Sequence, residues 1–212
     1  MMVMPANHSS PTVHYWAGAF PGRIGWLIGP TAMAKTKFRK WIPFALDNDA
    51  FSAWTSGEPW NESTWLEMLK DVNRSGFKPL WALVPDVVAD KEATLEKWRK
   101  YSPTVAEFGY PLAFAVQDGM TPHDVPRNAE VVFVGGTTEW KWRTATIWVS
   151  NFPRVHVGRV NSLQRLWDCE KIGIESVDGT GWFKDSEHNG KAKLLELWIE
   201  GMKDPQIELC YE

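Results

Sequence analysis

Ala113-Phe114-Ala115-Val116-Gln117-Asp118 is an apolar run that stops at two polar residues, and the chain repeats that form. It recurs as Phe44-Ala45-Leu46-Asp47-Asn48-Asp49, Trp81-Ala82-Leu83-Val84-Pro85-Asp86, Val132-Phe133-Val134-Gly135-Gly136, Val155-His156-Val157-Gly158-Arg159 and Ile174-Glu175-Ser176-Val177-Asp178-Gly179. A β-strand buried on both faces reads as a continuous apolar run. In α/β folds the chemistry gathers where such strands end. Burying several unpaired acids separately is unfavourable, so the carboxylates at these ends predict one shared polar pocket.

Helical signals fill the intervals. Trp65, Leu66, Leu69 and Val72 recur at helical spacing, with Asn61 or Ser63 as N-cap and Gly76 past the end. Asp90 caps a helix bearing Ala93, Leu95 and Trp98; Ser102-Pro103 restarts it and Gly109 ends it. Thr138 to Trp148 reads as a helix. So do the stretch from an Asn161 cap through Leu163, Leu166 and Trp167 to Gly173, and a last segment near 190–202. Val13 to Ala17 is open to a first strand, while Ile24, Trp26, Leu27 and Ile28 suit a short helix or a strand equally. Strand–helix alternation at this spacing means right-handed βαβ units and a parallel sheet. The expected fold is α/β, a compact (β/α)8-type TIM barrel with parallel strands and its active site at their C-terminal ends. Residues 1–12 read as a flexible N-terminal arm and 13–212 as a single barrel catalytic domain. Neither G-x-G-x-x-G after a first strand nor G-x-x-x-x-G-K-[ST] is present, which argues against a dinucleotide or P-loop site.

The 212 residues suffice for one domain with a sizeable core. A net charge of −3 gives no global basic field, so a nucleic-acid partner would depend on local patches. Lys35-Thr36-Lys37-Phe38-Arg39-Lys40 is one such patch, although basic runs are more often solvated faces. Of fourteen tryptophans, those on presumed helices (Trp65, Trp98, Trp142, Trp167, Trp198) are expected to fill the helix–barrel interface. Trp54, Trp140 and Trp182 follow strand ends and are candidate stacking surfaces for nucleobases. Cys169 and Cys210 form no C-x-x-C pair, so neither a disulfide framework nor a cysteine zinc site is expected. With no signal peptide and no apolar segment of spanning length, the expectation is a cytoplasmic protein without a membrane partner.

Asp47 and Asp178 end the first and last secure strands, which a barrel makes neighbours at one rim. Two carboxylates flanking an anomeric carbon can cleave a glycosidic bond: one as nucleophile, the other handling protons. Taken singly, each is more simply a turn residue, Asp178-Gly179 being a common turn dipeptide. Asp86 and Gln117 suit a guanine-like base edge. A carboxylate accepts from the ring N–H and the exocyclic amine, while Gln117 and a backbone N–H of Gly135-Gly136 serve O6. Glycine there lets the backbone approach a planar ligand. The plainer account is a tight βα turn at Gly135-Gly136 and a capping role for Gln117.

Taken in order, these segments resemble the queuine tRNA-ribosyltransferase superfamily, the tRNA-guanine transglycosylases, and more closely its phage and bacterial DNA branch, the 7-deazaguanine DNA transglycosylases. Leu46-Asp47-Asn48-Asp49-Ala50-Phe51 stands where the tRNA enzymes have L-D-S-G-G-F. Val116-Gln117-Asp118-Gly119 is similar to their V-Q-G, Val134-Gly135-Gly136 to V-G-G and Val157-Gly158 to M-G. Gly173-Ile174-Glu175-Ser176-Val177-Asp178 resembles G-I-D-x-x-D. Pro85-Asp86-Val87-Val88-Ala89-Asp90, Ala115-Val116-Gln117-Asp118-Gly119-Met120 and Val157-Gly158-Arg159-Val160-Asn161-Ser162 look like the DNA branch in particular.

The resemblance implies base exchange in double- or single-stranded DNA: guanine leaves and a 7-deazaguanine base, such as 7-cyano-7-deazaguanine, takes its place. Asp178 would be the nucleophile at C1′ and Asp47 the general acid/base. Asp86, Gln117 and the Gly135-Gly136 backbone would read the base edge, Phe51 would stack on one face, and Val157 with Gly158 would cover the other. Arg159 and Lys184 are candidate phosphate contacts. A retaining pair implies carboxylates about 5–5.5 Å apart in the reactive complex. No organic cofactor or metal is implied; the tRNA enzymes' zinc subdomain follows the nucleophile strand, and here no cysteine lies between Asp178 and Cys210. For a phage-encoded member the compartment would be the host cytoplasm. The competing expectations are a tRNA-guanine transglycosylase, a nucleoside hydrolase or deoxyribosyltransferase acting on free nucleosides, and a catalytically silent base-binding module.

Overall fold

Eight short strands carry the architecture in a computed structural model that describes residues 1–7, 10–179, 181–183 and 191–201. They are β1 (Met2–Met4), β2 (Trp26–Ile28), β3 (Phe44–Leu46), β4 (Ala82–Leu83), β5 (Leu112–Val116), β6 (Val131–Val134), β7 (Val155–Val157) and β8 (Ser176–Asp178). All pair in parallel, in the order β1-β8-β7-β6-β5-β4-β3-β2. Parallel bridges Val3↔Ile24 and Ala6↔Leu27 join the two ends of that sheet, so it curls into a nearly closed barrel of the (β/α)8 type.

The helices are α1 (Pro11–Ala19), α2 (Pro30–Met33), α3 (Ala50–Ser56), α4 (Glu62–Ser75), α5 (Lys91–Glu107), α6 (Thr138–Asn151), α7 (Leu163–Ile172) and α8 (Lys191–Ile199). Local chemistry sets their ends. The Asn61 side chain accepts from Thr64 N and Gly76 closes α4 in the left-handed conformation. Asp90 caps α5 through Ala93 N, and Gly173 ends α7.

Four expectations need correction. The segment read as a flexible arm contains β1, whose Val3 and Met4 are fully buried between β8 and β2. Three residues are too few for a periodic signal, so only the closed ring reveals this strand. Val13 to Ala17 belongs to α1, where Ser10 accepts from Val13 N and Pro11 takes a first-turn position. The helix α5 runs through Pro103 without restarting, and Ser162 rather than Asn161 caps α7.

Alternation along the strands divides the apolar residues between two cores. Phe44, Leu46, Leu112, Phe114, Val116, Val132, Val134, Val155 and Val157 point outward to Trp65, Leu69, Trp98, Trp148 and Trp198 on the helices. Inside the barrel lie Met4, Leu27, Ala45, Trp81, Leu83, Ala113, Ala115 and Val131, with Phe133 packed against them. Small and large residues alternate there for a steric reason: Ala45, Ala113 and Ala115 leave room for the buried indole of Trp81. Trp140 and Trp182 also belong to the outer core and offer no face to a ligand, whereas Trp54 is 58% exposed. Among the described residues, no helix is long and apolar enough to cross a membrane.

Candidate active site

The period of two that separates the cores also aims the strand ends. Continuing the inward face two residues from Ala45, Ala115, Phe133, His156 and Ser176 gives Asp47, Gln117, Gly135, Gly158 and Asp178. A cleft of about 400 Å³ opens there, lined by Asp47, Asn48, Phe51, Asp86, Gln117, Gly135, Gly136, Arg159 and Asp178. That volume lies in the ordinary range for small-molecule pockets. Val157 is out of phase: it is fully buried against the helices and does not reach the cleft. Gly158 lies behind the lining, where an added Cβ would meet Phe133 at 3.0 Å and Asp178 Oδ2 at 3.3 Å. Lys184 lies outside the described residues.

Asp86 and Gln117 form one network with Asn48. The Gln117 Nε2 donates to Asp86 Oδ2 at 2.7 Å, and Asn48 Nδ2 donates to Asp86 Oδ1 at 2.8 Å. Gln117 Oε1 accepts from the backbone N–H groups of Ala89 (2.9 Å) and Gly136 (3.0 Å). The Gly135 N–H donates to the Val116 carbonyl at 3.1 Å. The amides of Gly135 and Gly136, one of which was expected to serve a ligand, are therefore both engaged within the protein, and Gln117 binds the β6 turn rather than standing free. Each Asp86 oxygen keeps a further acceptor site, and the Gln117 amide keeps its second hydrogen. Burial raises the Asp86 carboxyl above its ordinary value, partly offset by the amides of Asn48 and Gln117 and by Lys97. Asn48 carries no motif of its own in the sequence. Its place immediately after Asp47 at a strand end was the available signal.

The two candidate catalytic carboxylates have different surroundings. Asp47 accepts one hydrogen bond, from Asn48 N at 2.8 Å, and its other oxygen has no partner among the described residues. Burial first, then the nearby charges of Asp49 and Asp178, push its carboxyl up to about 8. Both causes favour the protonated form of Asp47. Asp178 instead has a partner on each oxygen: Oδ1 accepts from Arg159 N at 3.0 Å, while Oδ2 lies 3.1 Å from His156 Nε2. Paired carboxyl groups in contrasting environments are the arrangement that separates acid from base roles. Asp49 is structural: its oxygens accept from Asn7 Nδ2 and from the backbone and hydroxyl of Thr31.

Arg159 serves the cleft wall. Its guanidinium donates to the Gly136 carbonyl and lies 4.4 Å from the centroid of the Phe51 ring. The expected stacking face of Phe51 is thus covered by a cation in this structure. Lys141 on α6 supports the same turn from behind: it is 1% exposed, donates to the Gly158 carbonyl, and burial lowers its amine to about 8.

Backbone strain marks the same rim. The described non-glycine residues with positive φ are Asn7, Asp49, Ala89 and Arg159, and each follows the C-terminal end of a strand. Such conformations persist only where their surroundings enforce them, and they concentrate at functional sites. Here two of them aim N–H groups at Gln117 and Asp178. Among the described residues, no group of three or more His, Cys, Asp or Glu is placed to hold a metal ion. Compared with models of known protein families the chain matches none, and no curated protein matches it.

Proposed function

We propose that this protein is a pentosyltransferase that exchanges guanine in DNA for a 7-deazaguanine base through a covalent aspartyl–deoxyribose intermediate. The observation that carries this reading is the pair Asp47 and Asp178 in one cleft: burial and neighbouring carboxylates raise the Asp47 carboxyl, one of whose oxygens has no partner among the described residues, while Asp178 has a partner on each oxygen. The DNA substrate rests on the sequence resemblance.

In the proposed reaction, an oxygen of Asp178 bonds C1′ as the bond from C1′ to the guanine nitrogen breaks. The electron pair goes to the base, and Asp47 gives its proton to the leaving group. Asp47, now a carboxylate, takes the ring N–H proton of the incoming 7-deazaguanine. That nitrogen bonds C1′, the ester bond breaks, and its electron pair returns to Asp178. Two displacements retain configuration. Asp86 accepts from the ring N–H and exocyclic amine of either base, and the second Nε2 hydrogen of Gln117 serves O6. The target guanine must leave the DNA stack, which costs a few kcal/mol. Arg159 moves off Phe51 to admit it.

Guanine-labelled DNA, tRNA and free deoxyguanosine, each incubated with the protein and 7-cyano-7-deazaguanine, test the reading. Release from DNA with uptake of the 7-deazaguanine is expected. Release from tRNA alone or from the nucleoside alone would assign one of the alternative substrates, and no release from any would leave a base-binding module.

A further inference from the structure

Asp178 ends a chain of buried polar groups. Its Oδ2 lies 3.1 Å from Nε2 of His156, and Nδ1 of the same ring lies 2.8 Å from Ser176 Oγ. His156 has no solvent exposure. Phe133 stacks on its ring at 4.7 Å between centroids and Trp81 meets it edge-on at 4.9 Å. Sheet register places the groups together, since His156 of β7 pairs with Ser176 of β8, two residues before Asp178. The order of groups is that of a hydrolase triad, but the orientation is reversed. Ser176 is 2% exposed and does not line the cleft, whereas Asp178 does.

We propose that His156 is a positioning residue whose Nε2–H donates to Asp178 and favours the free carboxylate over its sugar ester. The direction follows from the contacts. A hydrogen on Nδ1 alone would set the Nε2 lone pair against a carboxylate oxygen, so Nε2 carries the hydrogen; in the neutral ring Nδ1 then accepts from the Ser176 hydroxyl. With Arg159 N–H on Oδ1, each oxygen of Asp178 has one fixed donor and the plane of the group is set. Donors to a carboxylate stabilise the charged form. In the first displacement that charge is consumed as the C1′–O bond forms; in the second it returns as the bond breaks. His156 therefore assists departure of Asp178 from the sugar. This consequence rests on the transglycosylase reading, whereas the His156–Asp178 hydrogen bond does not.

The test uses His156→Leu, which removes the donor, and His156→Gln, whose amide nitrogen can replace Nε2. For His156→Leu, the fraction of protein carrying covalent DNA in steady state is expected to rise about tenfold or more over wild type. Its kcat and its KM for DNA should fall together, as a slowed second displacement requires, and His156→Gln should move both kcat and adduct fraction back toward wild type. An unchanged adduct fraction in His156→Leu, or a Gln variant no better than Leu, overturns the proposal. Should His156→Leu fail to fold, ¹⁵N NMR of histidine-labelled wild type decides the contact. The expected result is an exchange-protected Nε2–H that shifts in Asp178→Ala; a Nδ1–H tautomer contradicts it. Wild type forming no adduct with any substrate, yet showing the protected Nε2–H, would overturn the transglycosylase reading and leave the hydrogen bond standing.

Discussion

Gln117 donates to Asp86 across 2.7 Å while its own oxygen holds the Gly136 amide, so a single side chain joins the ends of β4, β5 and β6. Gln117→Glu would set a second carboxylate against Asp86 and remove the donor. The expected cost is roughly 1–3 kcal/mol of base affinity, a loss of about 5- to 150-fold. Calorimetric titration with 7-cyano-7-deazaguanine checks this, and undiminished binding would remove Gln117 from base recognition.

Asp47 makes stability depend on pH in a defined sense. Its folded carboxyl stands near 8 against an ordinary 3.8, so the folded state holds the proton more tightly than the unfolded chain. That contribution is complete below about pH 4 and is lost as pH rises through 8. Asp47→Asn should remove the decline and gain on wild type by a few kcal/mol at pH 8 relative to pH 4. Urea unfolding at the two pH values measures it. Turnover should meanwhile fall roughly 10²–10⁴-fold, as expected for loss of a general acid.

Glycine is required at 136 for two reasons. Its φ is +67°, and an added Cβ would stand 2.6 Å from Asp118 Oδ2 and 2.8 Å from Trp140 Cε3. Gly119 shares the positive φ, at +79°, but has nothing within 4 Å. Gly119→Ala should cost about 1 kcal/mol, and Gly136→Ala clearly more, together with loss of base binding. Thermal unfolding of the pair gives the comparison.

Lys141 is expected to matter for function more than for stability. Its folded amine near 8 lies below the ordinary 10.5, so its contribution to stability is present only above about 10.5 and is lost as pH falls through 8. Lys141→Met should be at least as stable as wild type at pH 7, because a buried charge gives way to an apolar chain of similar length. Turnover should fall, since the Gly158 carbonyl loses its donor beside the Arg159 amide that holds Asp178. A lower melting temperature with unchanged turnover would reverse that assignment.

The barrel was legible where strands were long or sharply ended. Leu112 to Val116 shows five buried residues before Gln117, and from that pattern both the parallel sheet and the pocket-facing polar ends could be read. The same alternation, applied strictly, excludes Val157 from the cleft, because it is one residue out of phase with Asp178 and Gln117 on the inward face. Met2–Met4 carries no strand signal of its own because its β8 partners lie near the far end of the chain, and Val13 to Ala17 resembles a strand because aromatic and β-branched residues stand inside a capped helix. His156 stands inside an apolar run with no signal of its role, since its partners Ser176 and Asp178 are about twenty positions away. Distances of that kind are set by the sheet register, which short apolar runs do not encode.

Peptide mapping after denaturing a mixture of protein and guanine-containing DNA tests the central claim most directly. The account predicts a deoxyribose-linked adduct on the peptide bearing Asp178, formed as guanine is released and abolished in Asp178→Asn, while that variant still binds DNA. An adduct on Asp47, or one that survives in Asp178→Asn, would contradict it.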